Sequence, residues 1–432
     1  MRILMIGWEF PPLISGGLGT AFAGLVDAFS QIGHEIVLLL PEAIGVRKLP
    51  ARVKLVRAPE VLPRPGFGGV KTAGLAAYAG AAADRVQAGK KNIPSAYAGV
   101  EMPDAKETAV ARLPLTMRER AAAVNAVELM LRVEWFSRVA EIAATENEFD
   151  IIHCHDWLTV PAALAARRVS GKSLVMHVHS LESNRSVGQP NRFILELEGR
   201  GLRAADHVLA VSNNLKSQIL SEYRIGEDKV SVVHNGVLQP QSGPQKLPLT
   251  QVSDDGSERV GFLGRMTAQK GPACFLAAAV RVRQERPATE FVMAGVGDLL
   301  PAIKHKVREL GLTDAVKFAG FVPPEQVSAF FRRCQIAVVS SLSEPFGIVA
   351  LEAAMAGVPV IVPDCAGVCE VLTETPKFKT GSDADLARQI ELLLRDPRRR
   401  RRVIQKNYEI IRNCGWQNAA RKIVEIYQSR GL

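Results

Sequence analysis

"RILMIGWEFPPLISGGLGTAFAGLVDAFSQIGHEIVLLLP", residues 2–41, decides the fold class. "RILMIG" (2–7) is a short apolar run with strand length. "GLGTAFAGLVDAFSQIG" (17–33) spaces its apolar residues at helical intervals and stops at Gly33, where a left-handed residue can end a helix. "HEIVLLLP" (34–41) is a second apolar run. Strand, helix, strand in forty residues is a β-α-β unit. A strand that is apolar throughout, rather than at alternate positions, belongs to a parallel sheet covered on both faces.

The same rhythm continues at "DIIHCHDW" (150–157), "KSLVMHVHS" (172–180), "ADHVLAVS" (205–212) and "DKVSVVHNGV" (228–237). It breaks at 84–116, a polar Ala/Pro-mixed excursion. A long amphipathic helix or helix pair is expected over 117–148. It breaks again at "LQPQSGPQKLPLTQVSDDGSER" (238–259), whose Pro, Gln, Ser and Asp mark a linker. A fresh βα series follows, with strands at "RVGFLG", "TEFVMAG", "AVKFAGF", "QIAVVS" and "VPVIVP". The expectation is α/β, with two Rossmann-like parallel-sheet domains over 1–240 and 241–412 and a last helix over 413–432. Ligands on such sheets bind beyond the carboxyl ends of the strands.

At 432 residues the chain has room for two cores, and its 47% hydrophobic and 23% charged residues are those of a globular protein. No apolar run is long enough for a transmembrane helix, and "MRILMIGWEFPP" reads as a first strand and loop, not a secretory signal. A soluble, cytoplasmic protein is expected, with peripheral contact at the inner membrane face as an added possibility. Six scattered cysteines suggest reduced, mostly buried thiols. The net charge of +10 admits nucleic acid, anionic membrane or phosphorylated small molecules as partners. The run "RDPRRRRRV" (395–403) reads as a solvated turn leading into the last helix, with a membrane-surface patch as the sharper alternative.

Four segments lie just past strand ends. In "WEFPPLISGGLG" (8–19), Gly16 and Gly17 would let backbone approach a ligand, and the next helix offers free amides to an anion; a plain tight turn explains them as well. In "GRMTAQKG" (264–271), Arg265 and Lys270 could face a diphosphate, though two basic residues in a loop are commonplace. In "SLSEPFGIVALEAAMAGVPVIVP" (341–363), Glu344 sits in a turn and Glu352 in an apolar helix from about Gly347 to Gly357. A buried carboxylate is costly unless it bonds something. Sugar or ribose hydroxyls would satisfy both; an exposed turn acid and a structural ion pair are the bland alternatives. Finally, "HCHDW" (153–157) and "HVHSLES" (177–183) place His153 with His155 on one strand face and His177 with His179 on one. No thiolate or carboxylate cluster completes a metal site, at these histidines or at Cys365 and Cys369, so none is expected.

Taken in order, "GGLG", "HDW", "HSLE", "VVHNGV", "GR…QKG" and "SEPFGIVALEAAMAGVPVI" resemble the retaining glycosyltransferases of the glycogen synthase superfamily (glycosyltransferase family 4), with two Rossmann-like domains in the GT-B arrangement. The resemblance runs over most of the chain, and its most specific element is the E-x7-E pattern from Glu344 to Glu352. It implies a metal-independent, cofactor-free transfer of a hexosyl group from a UDP-, ADP- or GDP-hexose to a sugar, glucan or lipid-linked acceptor, with retained configuration. It also implies roles. Arg265 and Lys270 would hold the diphosphate, and Gly16 and Gly17 would meet it from the other domain. Glu344, with the amides of Phe346 and Gly347 and with Ile348 beside them, would bind the donor sugar. Glu352 would take the ribose, His179 would contact the sugar near the reacting carbon, and Asp156 would lie on the acceptor side. The last helix would cross back to the N-terminal domain. Glycogen and starch synthases of bacteria carry Lys where this chain has Ser15, which weakens an α-1,4-glucan synthase assignment. The "NGV" turn is followed by Leu238, where Asp is common, and the usual Gly-rich strand after Glu370 is missing. A non-enzymatic nucleic-acid or membrane-binding protein would explain the charge but not two acids at a strand end, and the sequence has no nucleic-acid module.

Overall fold

The computed structural model describes residues 1–12, 16–43, 45–46, 49–62, 117–238 and 258–432, with backbone only for 117–127. Ser15, the excursion at 84–116 and nearly all of the expected linker lie outside the described residues.

The chain divides into two compact units. The first comprises Met1–Leu209, Ile219–Ser231 and Glu425–Leu432; the second comprises Ala210–Gln218 and Val232–Val424. Each is built on one parallel sheet. In the first unit the strands are β1 (Arg2–Ile6), β2 (Glu35–Leu40), β3 (Val53–Arg57), β4 (Ile151–His155), β5 (Ser173–Val178), β6 (His207–Ala210) and β7 (Val230–Val232), in the order β3-β2-β1-β4-β5-β6-β7. In the second they are β8 (Arg259–Leu263), β9 (Glu290–Ala294), β10 (Val316–Gly320), β11 (Ile336–Val338), β12 (Val360–Pro363) and β13 (Lys377–Phe378), in the order β10-β9-β8-β11-β12-β13.

The burial explains why these stretches are strands. Ile3, Leu4, Met5 and Ile6 of β1 are fully buried, as central strands covered on both faces must be. At the sheet edges the pattern loosens: β10 exposes alternate residues, Lys317 and Ala319, and β3 exposes Lys54 and Arg57, and charges there discourage pairing with another chain. In both sheets the order reverses direction at one strand. The chain runs from β1 to β2 on one side and returns to β4 on the other; it runs from β8 to β9 and returns to β11. At such a reversal, neighbouring crossovers leave to opposite sides and open a crevice at the carboxyl ends of the strands. The Gly16–Gly17 turn and Asp156 follow β1 and β4 in unit 1. The 264–271 loop and the 339–347 loop follow β8 and β11 in unit 2.

Several expectations are corrected. The arginine run is not a turn: it lies in the helix Pro397–Ile411, and a further helix, Trp416–Ser429, follows. Asp396 caps its start, with Oδ1 accepting the amides of Arg398 and Arg399 at 2.9 Å, and Val403, Ile404 and Ile411 bury one face. Residues 117–146 form one long helix, the first of the two alternatives expected there. As expected, no Gly-rich strand follows Glu370: β13 there has two residues and no glycine. The cysteines are all free, but only Cys154 and Cys334 are buried; the other four are half-buried. No helix among the described residues is long and apolar enough to cross a membrane.

Candidate functional site

In unit 2 two strand-end loops are stitched together. The Ser340 hydroxyl donates to the carbonyl of Gly271 at 2.9 Å, and the Leu342 amide donates to the carbonyl of Gln269 at 2.8 Å. Gly271 makes this approach possible. Its φ is +62°, and a Cβ there would lie 2.1 Å from the Ser340 carbonyl oxygen. The seam brings Lys270 to Glu344: Nζ lies 2.7 Å from Oε2 and 3.0 Å from Oε1. Ser341 adds a hydroxyl donor to Oε2 at 2.7 Å. The Glu344 side chain is only 7% exposed and Lys270 24%, so the pair is a largely desolvated charge couple, open on the lysine side.

Beyond Glu344 the chain turns into the helix Ile348–Met355, with Gly347 at φ +105° as its first flanking residue. Gly367 and Val368 donate to the carbonyls of Glu344 and Phe346 at 3.0 and 2.7 Å, which pins the turn. The amides of Phe346 and Gly347 donate to nothing among the described residues. Two unpaired N–H groups at a helix start, beside a carboxylate held by a lysine, make a ready site for a polyhydroxy or anionic group. Five residues into the helix stands Glu352. Burial pushes its carboxyl up to about 7, and among the described residues its side chain has no hydrogen-bond or ion-pair partner. The residue is half-buried, so its carboxylate is partly shielded from water without a protein donor to replace it. Arg265 lies in the same strand-end loop as Lys270, half-buried and without an ion pair among the described residues.

Unit 1 holds a group of its own. Gly16 and Gly17 open the helix Gly17–Gln31, which has no side-chain cap and no acid in its first turn. Asp156 ends β4 with a left-handed φ of 55°, uncommon for a side chain other than glycine's. Its Oδ1 accepts the amides of His179 at 2.7 Å and Ser180 at 3.3 Å. Burial lifts its carboxyl to about 6, against the opposing pull of Arg185 and of those two amides. Arg185 in turn donates to the carbonyl of Ser180 at 2.6 Å and pairs with Glu198, whose other oxygen accepts the Tyr223 hydroxyl at 2.6 Å. The turn carrying His179 is thus gripped from both sides.

The four histidines are not two separate pairs on two strands but one block. His153 stacks on His155 with centroids 4.6 Å apart and planes 6° from parallel, and His177 stacks on His179 at 4.4 Å. Hydrogen bonds run crosswise: His153 Nε2 to His177 Nδ1 at 3.3 Å, and His155 Nδ1 to His179 Nε2 at 3.0 Å. Burial holds all four well below the usual histidine range, His153 and His179 down to about 3, so the rings are neutral. Nitrogens of His153, His155 and His177 gather within 4.8 Å, as three metal ligands would. Their arrangement does not suit an ion. Imidazole lone pairs lie in the ring plane, and near-parallel stacked rings aim them side by side rather than at one point.

The sequence pattern pointed to Lys270, Glu344 and Glu352 but not to Ser341, Arg185, Glu198 or Tyr223. Ser341 and Arg185 at least stand within a few residues of Glu344 and His179. Glu198 and Tyr223 carry no local signal; each becomes meaningful only as a partner in the buried network.

Residues 115–237 match the model of glycosyltransferase family 4, and residues 248–410 match that of glycosyl transferases group 1. The chain is 25% identical over 450 residues to an uncharacterized glycosyltransferase of Methanocaldococcus jannaschii, covering 99% of this chain and 98% of that protein. It is 24% identical over 444 residues to a glycogen synthase of Mycobacterium tuberculosis, covering 99% and 94%. Among solved structures, a sucrose-phosphate synthase from Thermosynechococcus elongatus superposes with a TM-score of 0.72 at 18% identity, covering 99% of this chain and 98% of that one. An Anabaena protein solved in complex with UDP and glucose gives 0.66 at 17%, covering 99% and 100%.

Proposed function

We infer the reaction from one premise: this chain belongs to the glycosyltransferases of group 1 and family 4, and it has their GT-B fold. The proposed reaction is transfer of a hexosyl group from a nucleoside-diphosphate hexose to an acceptor hydroxyl, with retained anomeric configuration and without a metal. The observation that carries this reading is the Lys270–Glu344 pair beside the two unpaired amides of Phe346 and Gly347, with the partnerless Glu352 in the following helix.

In this reading Lys270 and Arg265 stand where a metal would otherwise stand. As the bond between the anomeric carbon and the donor phosphate breaks, negative charge grows on the leaving diphosphate, and fixed cations stabilise that charge without reorganising. Glu344 and the Phe346 and Gly347 amides hold the sugar hydroxyls, with Ile348 packed below, while Glu352 accepts the ribose hydroxyls and gains the partners it lacks. Gly16 and Gly17 leave the first helical amides of unit 1 bare for an anion. His179, neutral, is assigned to the sugar near the reacting carbon, and Asp156 to the acceptor side. The acceptor oxygen forms the new bond to the anomeric carbon on the face the phosphate leaves, and its proton passes to the departing phosphate oxygen. No side chain has to become a covalent intermediate.

UDP is the first nucleotide to test, because the Anabaena neighbour was solved with it. Calorimetry with UDP, ADP and GDP on wild type, Arg265→Ala and Lys270→Ala separates the possibilities. Binding of one nucleotide, lost in both variants, supports the donor site and names the base; no binding of any of them overturns it. The anomeric configuration of the product, read by NMR, then tests retention. An α-1,4-glucan synthase is the second reading, favoured by the end-to-end similarity to a glycogen synthase. Ser15, in place of that group's lysine, speaks against it, and incorporation of glucose into glycogen primer tests it.

A further inference from the structure

The histidine block has a member from far along the chain. Tyr427, in the helix Trp416–Ser429, is fully buried, and its hydroxyl lies 2.5 Å from His153 Nδ1. Burial keeps the phenol protonated at any working pH, and among the described residues His153 Nδ1 is the one hydrogen-bond partner of its hydroxyl, so the arrangement that satisfies the buried O–H proton has Tyr427 donating to Nδ1. That bond has consequences for the other rings. A neutral imidazole carries one proton, so accepting at Nδ1 places the His153 proton on Nε2, facing His177 Nδ1 at 3.3 Å. His177 therefore accepts at Nδ1 and holds its own proton on Nε2. The first hydrogen-bonded pair stacks ring on ring against the second, His155 with His179, so the layer below His179 has one tautomer and one orientation.

Without the hydroxyl, His153 has a buried lone pair with no donor. Its proton can move to Nδ1; the bond to His177 then breaks, or reverses with His177 changing tautomer, and the layer on which His179 stacks is no longer fixed. We propose that Tyr427 is a positioning residue for His179: its hydroxyl sets the tautomer of His153 and, through the stacked rings, the orientation of the His179 side chain. The proposal rests on the assignment of His179 to the reacting sugar.

Tyr427→Phe keeps the ring and removes only the donor. Histidine-labelled wild type and variant are compared by long-range proton–nitrogen correlation, which distinguishes Nδ1-H from Nε2-H imidazoles. In wild type His153 and His177 are expected as Nε2-H tautomers. In the variant, His153 is expected as a mixture and the His179 signals should shift. Slow hydrolysis of UDP-glucose, read as UDP release, should fall about tenfold in kcat with the donor KM unchanged, about the worth of one buried hydrogen bond. Unchanged tautomers and kcat would overturn the proposal, as would a fall in melting temperature and turnover with the tautomers intact, since that is what mere packing would do. His179→Ala separates the two layers of inference. If it keeps wild-type turnover, the proposal and the assignment of His179 fall together. If it is inactive while Tyr427→Phe retains its kcat, the proposal alone fails.

Discussion

Lys270 and Glu344 are 74 residues apart in sequence, and Nζ of one lies within 3.0 Å of both carboxylate oxygens of the other. Their meeting follows from strand order: β8 and β11 are neighbours, so the loops leaving their carboxyl ends share one edge of the sheet. Lys270→Met leaves the Glu344 carboxylate, 7% exposed, with Ser341 as its remaining side-chain donor. A loss of about 1–3 kcal/mol in stability is expected, together with loss of UDP binding. Adding Glu344→Gln to that variant should return part of the stability but none of the binding. Urea melts and calorimetry on the three variants check both halves.

Glu352 should make the stability of the free protein depend on pH. Its carboxyl is raised by burial to about 7 from an ordinary 4.5. A raised acid favours the folded state in its protonated form. Its contribution is complete below about 4.5 and is lost as pH rises through 7. Glu352→Gln should remove that falloff, so the difference in melting temperature between the two proteins grows from pH 5 to pH 8. Bound nucleotide, by giving the carboxylate hydroxyl donors, should reverse the trend in wild type: the stabilisation conferred by saturating UDP should be larger at pH 8 than at pH 5.

Gly271→Ala should be far more damaging than an ordinary loop substitution. The new Cβ would meet the Ser340 backbone carbonyl oxygen at 2.1 Å, an atom that cannot swing aside, at a φ of +62° that disfavours any side chain. A cost of more than about 2 kcal/mol is expected, with the 264–271 and 340–347 loops forced apart. Thermal melts measure the cost. Nucleotide calorimetry at a temperature where the variant is still folded measures the loop separation.

Asp156→Ala removes the acceptor for two amides, those of His179 and Ser180. Leaving them unpaired in a buried turn should cost about 1–3 kcal/mol for each N–H left without a partner. Asp156→Asn retains an acceptor oxygen and should cost clearly less. Equal destabilisation by the two substitutions would show that the negative charge of Asp156, rather than its hydrogen bonds, holds the turn.

The parts of the fold that were legible in the sequence are those governed by local pattern. Buried strands such as Arg2–Ile6 and Val360–Pro363 are apolar on both faces, and the helices between them have helical spacing and glycine ends. β3 was missed because it buries only Val56 and interleaves two charges among its apolar residues, so "VKLVR" has no apolar run to notice. The arginine run was misread for the converse reason. Its charge hid an apolar face at Val403, Ile404 and Ile411, and Asp396 supplied the cap that starts the helix.

By itself the sequence determined most of the buried strands and the helices between them, that the chain holds two parallel α/β units, and which loops carry the acids, the cations and the histidines. It did so because propensity, hydrophobic period and turn chemistry are properties of neighbours along the chain. Only the tertiary structure decided that Lys270 meets Glu344, that the half-buried Glu352 has no side-chain partner among the described residues, that four imidazoles stack as one block, and that Tyr427 closes that block from 274 residues beyond His153. Those relationships depend on strand order and on which helix covers which face. Both are set by burial of the whole chain, so no window of sequence contains them.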